Sequence, residues 1–110
     1  ENLGSAYLMT NQLTQADHAL TRAVQLNPSQ GRALLELADI RFQQQGFAEA
    51  WGLYNRHVRV APQSARSLWL CIQLSDRLSS QDEKASCILS LRNIFPASRE
   101  YSQYQERFER

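Results

Sequence analysis

The sequence is poor in the residues on which catalytic and metal-binding sites depend. Its 110 residues include two histidines, two cysteines, four glycines and one methionine. His18 and His57 lie in different segments of the chain, and neither has a cysteine or an acid at metal-ligand spacing. The sequence also has no glycine-rich phosphate loop, no HExxH motif and no Ser/His/Asp grouping. We therefore expect no enzyme, no metal, no cofactor and no small-molecule substrate.

The chain also lacks charge of one sign and long hydrophobic runs. Twelve Lys and Arg residues against eleven Asp and Glu give a formal charge of +1, and the basic residues are scattered. No basic run could follow a phosphate backbone, so we expect no nucleic-acid partner. No apolar stretch approaches the roughly 20 residues that span a bilayer. Because the chain opens on ENLGSAYLMT, already in a helical pattern, we expect a piece of a longer protein whose targeting segment lies elsewhere.

What the sequence does have is a period. Pro28, Pro62 and Pro96 follow one another at equal intervals, which define a 34-residue period. Other residues line up at the same interval, in the sets Ala16, Ala50 and Lys84; Leu20, Tyr54 and Ile88; and Leu26, Val60 and Ile94. A period of this length is typical of stacked helical hairpins, each of which needs its neighbours to bury its apolar face.

The segment from 31 to 62 is the most complete copy. Apolar and small residues at helical spacing predict one helix over 31–45 and a second over 47–60, with Gly46 as the break between them. Ala38 and Ala50 are small enough for the two helices to cross closely. Pro62 ends the second helix because it cannot continue one.

The same spacing divides the whole chain. We predict a truncated first repeat (1–28), a second repeat (29–62), a degenerate third repeat (63–96) and a capping helix (97–110). In the third repeat, Ile72 and Lys84 replace the small pair, so either the hairpin opens or Ala85 moves into the crossing position. In the last segment Tyr101, Tyr104 and Phe108 share one helical face, as a cap requires.

Three helix starts are marked by hydroxyl residues. Thr14 with Asp17, and Ser80 with Glu83, have the spacing of a capping box, and Ser64 is a candidate N-cap. We interpret these residues as structural boundaries rather than as sites of modification or catalysis.

Cys71 and Cys87 lie on the two predicted helices of the third repeat, one on each. They are either a disulfide, which would tie helix to helix, or two buried thiols that act as small hydrophobic groups. The absence of a CxxC motif argues against redox catalysis by this pair.

Over nearly its full length the chain resembles the tetratricopeptide repeat family. The resemblance is carried by LGSAY at 3–7 and by Ala16, Leu20, Ala23, Pro28, Leu34, Leu37, Ala38, Ala50, Tyr54 and Pro62. It implies an all-α, right-handed α-solenoid of three repeats with a capping helix, and a non-catalytic role in binding proteins.

In that family the first helix of each hairpin lines an inner groove. The positions that face it here are Leu8, Met9, Arg32, Leu35, Asp39, Phe42, Arg66, Trp69, Gln73 and Arg77. Four apolar members, Leu8, Leu35, Phe42 and Trp69, would form a hydrophobic strip with Arg32, Arg66 and Arg77 at its rim, which suits an extended or helical peptide. The alternative is that Phe42 and Trp69 simply pack between adjacent hairpins.

A narrower resemblance concerns the passage LRNIFPASREYSQY after a repeat with two cysteines. It is similar to the C-terminal end of the bacterial type IV pilus biogenesis lipoproteins, the pilotins. This implies a protein on the periplasmic face of the outer membrane, held there through a lipid anchor absent from this fragment, that helps a secretin subunit to reach the membrane and multimerise. A periplasmic location would favour the Cys71–Cys87 disulfide. The alternative is a generic bacterial repeat adaptor that binds another peptide segment in an envelope or signalling complex.

Overall fold

A computed structural model describes the backbone of residues 2–109 and the side chains of residues 13–109. The described residues form six helices and no strand: α1 (Asn2–Leu26), α2 (Gly31–Gln43), α3 (Phe47–Val60), α4 (Ala65–Arg77), α5 (Gln81–Ile94) and α6 (Arg99–Phe108). The predicted all-α class is confirmed. The two helices predicted for the second repeat agree with α2 and α3 to within two residues.

The helices pair as the 34-residue period requires. The closest pairs are α2 with α3 and α4 with α5, and these hairpins are joined through contacts of α1 with α2, α3 with α4, and α4 with α6. One core cluster runs from Leu35 through Leu68 to Tyr104, while a smaller cluster around Leu34 and Leu37 lies between α1 and α2. Each hairpin therefore buries its apolar face against its neighbours. Among the described residues, no helix is long and apolar enough to cross a membrane.

The turn inside each complete hairpin uses a residue in the left-handed region. Gln45 has φ 66° and Ser79, its equivalent in the third repeat, has φ 58°. In both turns the backbone amide of the following residue donates a hydrogen bond to a carbonyl of the preceding helix. Gly46 N donates to Arg41 O at 2.8 Å, and Ser80 N donates to Ser75 O at 2.8 Å. The chain does turn near Gly46 as predicted, but Gly46 itself has φ −84° and is the N-cap of α3. The left-handed conformation falls on Gln45 instead.

The first repeat differs from its prediction. The structure has one continuous helix over 2–26, so Thr14 and Asp17 lie inside α1 and do not mark a helix start. The Asp17 carboxylate is used elsewhere, since it accepts a hydrogen bond from Thr21 Oγ1 at 3.1 Å and is ion-paired with Arg41 of α2. This ion pair joins the first repeat to the second.

The other two predicted caps have different outcomes. Ser64 caps α4: its Oγ accepts from Ser67 N at 3.1 Å, and Ser67 Oγ in turn accepts from Ser64 N at 2.8 Å. Ser80 occupies the N-cap position of α5 but makes no side-chain cap bond there.

The third repeat is held by a disulfide. Cys71 of α4 and Cys87 of α5 are bonded, with their Cα atoms 6.3 Å apart, and both residues are buried. Ile72 is fully buried, whereas the Lys84 side chain is 19% exposed and pairs through Nζ with Asp76 Oδ1 at 2.9 Å. Ala85 is exposed, so it does not take the crossing position. The third repeat thus carries larger side chains at the crossing positions, and its two helices are joined covalently.

Helix α6 closes the end of the stack. Ser98 Oγ caps it by accepting from Tyr101 N at 3.1 Å, and Tyr104 is buried against the core. Its opposite face is polar. Ser102, Gln105 and Glu106 follow Leu68, Cys71 and Ile72 by one period, and all three are exposed. The apolar side of α6 covers the third repeat, and its polar side faces water.

Candidate functional site

A groove crosses α4 and α6 and reaches the edge of α2. Its larger part, a cavity of about 560 Å³, is lined by Trp69, Gln73, Gln103, Glu106 and Arg107. A smaller adjoining cavity of about 220 Å³ is lined by Asp39, Arg66, Trp69, Leu70 and Gln73. The two share Trp69 and Gln73, and we call them together the Trp69 groove. These helices are the first of their repeats, as the family resemblance implies.

The predicted hydrophobic strip does not form among the described side chains. Leu35 is only 7% exposed and belongs to the core, so the expectation that it lines the surface is wrong. Phe42 packs against Phe47, with ring centroids 5.5 Å apart, at the turn of the second repeat. Leu8 and Met9 lie outside the residues whose side chains are described. Of the three apolar residues whose side chains are described, Trp69 alone lines the groove.

Trp69 both packs and lines the groove. It is half-buried, and its indole meets the Phe108 ring edge-to-face at a centroid distance of 6.1 Å. The Phe108 ring is in turn stacked on Tyr104 at 5.7 Å. Burial raises the pKa of the Tyr104 hydroxyl. The two interpretations of this tryptophan, packing and binding surface, are therefore compatible.

The predicted arginine rim separates into three environments. Arg66 Nη2 lies 3.5 Å from Asp39 Oδ2 at one end of the groove. Arg32 pairs with Glu36 on its own helix at 3.3 Å, and its side chain is 88% exposed. The Arg77 guanidinium lies over the Phe47 ring, 5.6 Å from its centroid. Only Arg66 lines the groove, so the expected rim of three arginines is not present there.

Sequence reasoning missed the contribution of α6. It assigned this helix to capping alone, yet Gln103, Glu106 and Arg107 form one wall of the larger cavity. The signal was available, because Gln103 follows Trp69 by one period and Arg107 follows Gln73 by one period. Extending the period beyond Pro96 would have found them.

The groove offers polar groups around one apolar surface. The carboxamides of Gln73 and Gln103 can each donate and accept hydrogen bonds, as a peptide backbone does. Its charges, Asp39 with Arg66 and Glu106 with Arg107, balance in number. Such a surface suits an extended segment of low net charge with one apolar side chain over the indole. Within residues 13–109, no group of three His, Cys, Asp or Glu side chains could hold a metal ion.

Comparison with known proteins gives a relative of this chain. It is 32% identical over 105 residues to the type IV pilus assembly protein PilF of Pseudomonas aeruginosa. A structure solved in a functional characterization of PilF from the same organism superposes with a TM-score of 0.83, at 32% identity over 96% of this chain. No family profile matches the chain.

The chain spans less than half of that relative. The match covers 96% of the chain but 42% of the PilF sequence and 48% of the solved PilF chain. The structural match supports the predicted helical solenoid.

Proposed function

We propose that the chain is a tetratricopeptide-repeat protein that serves as a non-catalytic scaffold of type IV pilus biogenesis, because it is similar to PilF in sequence and in structure. In this proposal the Trp69 groove binds a segment of the secretin subunit and so assists its localisation and multimerisation in the outer membrane. The observation that carries the proposal is the groove itself: an indole flanked by two carboxamides on successive repeats. A surface of this kind suggests protein–protein interaction rather than chemistry.

The shape of the groove favours an extended segment. Gln73 and Gln103 lie on neighbouring helices and can hydrogen-bond successive peptide units, while Trp69 receives a side chain between them. Arg66 lines the smaller cavity together with Asp39, and Arg107 lines the larger one together with Glu106. A segment of low net charge therefore meets no strong repulsion.

The proposed location is the periplasmic face of the outer membrane, with membrane attachment through a lipid anchor outside residues 1–110. The buried Cys71–Cys87 disulfide supports an oxidising compartment, because disulfides are rare where glutathione and thioredoxin keep thiols reduced.

The test is capture of the secretin by the purified chain. Trp69→Ala is expected to weaken binding about tenfold or more, since buried aromatic anchors dominate interface energies. Gln103→Ala should weaken it by about threefold to tenfold through loss of a hydrogen bond. Gln105→Ala is the matched control, because Gln105 is exposed on the same helix and does not line the groove.

The controls separate binding from folding. Because the Trp69 indole packs against Phe108, circular dichroism and thermal unfolding must first establish that Trp69→Ala is folded. If Trp69→Ala is unfolded, Gln103→Ala still tests the groove, because Gln103 is exposed. Unchanged secretin binding in both variants would refute the groove assignment. Absence of secretin binding, together with capture of another envelope component through the same groove, would favour the generic adaptor.

A further inference from the structure

A second cavity lies between α1, α2 and α3 and shares no lining residue with the Trp69 groove. Its volume is about 450 Å³. Val24, Leu37 and Leu53 supply its apolar surface, and they belong to the smaller core cluster between the first and second repeats. Gly52 and Arg56 of α3 also line it. We call it the Gly52 pocket; its volume lies in the range typical of binding pockets.

Gly52 has no packing reason to be glycine. A Cβ built on Gly31 would meet Ala61 Cβ at 2.9 Å, which explains that glycine by close approach, whereas a Cβ on Gly52 would meet nothing within 4 Å. No described glycine has a positive φ. Glycine inside a helix is less favourable than alanine by about 1 kcal/mol. The equivalent positions carry His18 and Ser86, so the missing side chain is particular to the second repeat and keeps the pocket open.

The surroundings of the pocket carry excess positive charge. Arg41 is paired with Asp17 and lies 3.7 Å from Glu49 through its Nε. Arg56 lines the pocket and Arg22 lines an adjoining cavity, and neither forms an ion pair within residues 13–109. Three arginines thus stand against two carboxylates, leaving an excess of one positive charge. An acidic ligand would supply the partners that Arg22 and Arg56 lack.

We propose that the Gly52 pocket is a second docking site, which takes an acidic segment of a partner protein. One aliphatic or aromatic side chain of that segment inserts beside Gly52 against Val24, Leu37 and Leu53. Carboxylates on either side of it pair with Arg56 and Arg22. The proposal stands on residues separate from the Trp69 groove and holds whether or not the groove binds a secretin.

The test uses short acidic peptides with one central apolar residue. A fluorescent peptide of Asp, Glu and Ser with a central Leu is titrated into the chain, beside the same peptide with a central Ser. The Leu peptide is expected to bind about tenfold more tightly, because its side chain leaves water in the pocket. Its affinity should fall as salt rises, since charge pairs contribute.

Two variants and two matched controls locate the site. Gly52→Leu fills the pocket and should weaken the Leu peptide by about tenfold, while Gly52→Ala adds one methyl group and should retain most of the binding. Arg56→Glu reverses a charge at the pocket and should weaken binding by a similar factor. Arg59→Glu makes the same change on α3 outside the pocket and should alter affinity by less than about twofold.

Backbone amide NMR shifts complete the test. The peptide should shift Thr21 and Gly52 and leave Gln73 and Gln103 unchanged, and Trp69→Ala should not affect its affinity. Shifts confined to the Trp69 groove, equal affinity for the Leu and Ser peptides, or no binding at about 1 mM peptide would each overturn the proposal. If Gly52→Leu fails to fold, two comparisons still test the proposal: Arg56→Glu against Arg59→Glu, and the Leu peptide against the Ser peptide.

Discussion

In the second repeat Ala38 and Ala50 are completely buried, whereas the equivalent positions of the third repeat carry Ile72 and Lys84. We interpret the alanine pair as the point where α2 and α3 approach most closely, as small residues permit. The third hairpin cannot make the same contact. Its two helices are joined instead by the disulfide between Cys71 and Cys87.

The second and third repeats differ in how their helices are joined and in which surface they form. The second repeat holds its own helices by packing and by polar contacts, such as the 2.7 Å hydrogen bond between His57 Nδ1 and Gly31 O. It connects to the first repeat through the ion pair of Arg41 with Asp17. The third repeat has Ser75 where the second has Arg41, and Ser75 Oγ donates to Cys71 O within its own helix. The third repeat instead lines the Trp69 groove, and its Trp69 packs against Phe108 of α6.

The largest expected effect on stability comes from placing a lysine in the second repeat at the position equivalent to Lys84. Ala50→Lys places an ammonium group at a fully buried position with no acid partner, and we expect a loss of about 3–5 kcal/mol in the free energy of unfolding. Urea denaturation measures it. Ala85→Lys, at an exposed position next to Lys84, is the control and should cost little. A loss below about 1 kcal/mol for Ala50→Lys would mean that the crossing has room.

The next largest effect is expected when the disulfide of the third repeat is removed. Replacing Cys71 and Cys87 together by alanine should lower the free energy of unfolding by about 3 kcal/mol, the loop-closure value for a sequence separation of 16. Thermal unfolding with and without reductant gives the measurement, and the double variant should not respond to reductant. Equal stability of the oxidised protein and the variant would show that the third repeat, like the second, needs no covalent link.

The ion pair between the first and second repeats gives a smaller, pH-dependent effect. The hydrogen bond from Arg41 holds the pKa of Asp17 below its ordinary value of 3.8, against the opposing effect of burial. The pair therefore stabilises the fold above about pH 4, and this contribution is lost as the pH falls through the lower folded value. We expect Asp17→Asn to cost about 1–2 kcal/mol at neutral pH and to weaken the acid sensitivity.

Asp82→Asn is the control for that titration, because Asp82 is exposed and forms no ion pair among the described residues. The interpretation fails if both variants follow the same stability profile from neutral pH down to about pH 2.

The smallest expected effect concerns Lys84 of the third repeat. Lys84 pairs with Asp76 and lies 4.7 Å from the centroid of the Phe108 ring. Lys84→Ala should cost about 0.5–1 kcal/mol by urea denaturation, since both contacts are partly solvated. Lys84→Arg keeps the charge and should cost less. A cost as large as that of the disulfide would give Lys84 a central role in the third repeat.

Much of the fold could be predicted because its causes are local. Pro62 ends α3, the alanine pair allows close approach, and the 34-residue spacing fixes which helices are equivalent. The disulfide could not be decided from the sequence, since it depends on the 6.3 Å that the hairpin places between two Cα atoms.

The surface was harder to predict than the core. Leu35 has the helical position of a groove residue, yet it is buried, because the angle between successive hairpins decides which residues of the first helix reach solvent. That angle is a property of the packed repeats and not of one helix. The 34-residue period could have predicted that Gln103 and Arg107 line the groove, but α6 was interpreted only as a capping helix.

The most direct measurement uses Trp69 as its own reporter. The chain has two tryptophans, and Trp51→Phe leaves Trp69 as the only indole. Titration with the periplasmic region of the secretin should shift the emission of Trp69 in a saturable way, with the dissociation constant that calorimetry gives for the same pair. Calorimetric binding without a change in Trp69 emission would contradict the groove assignment, and no secretin binding at all would contradict the proposed function.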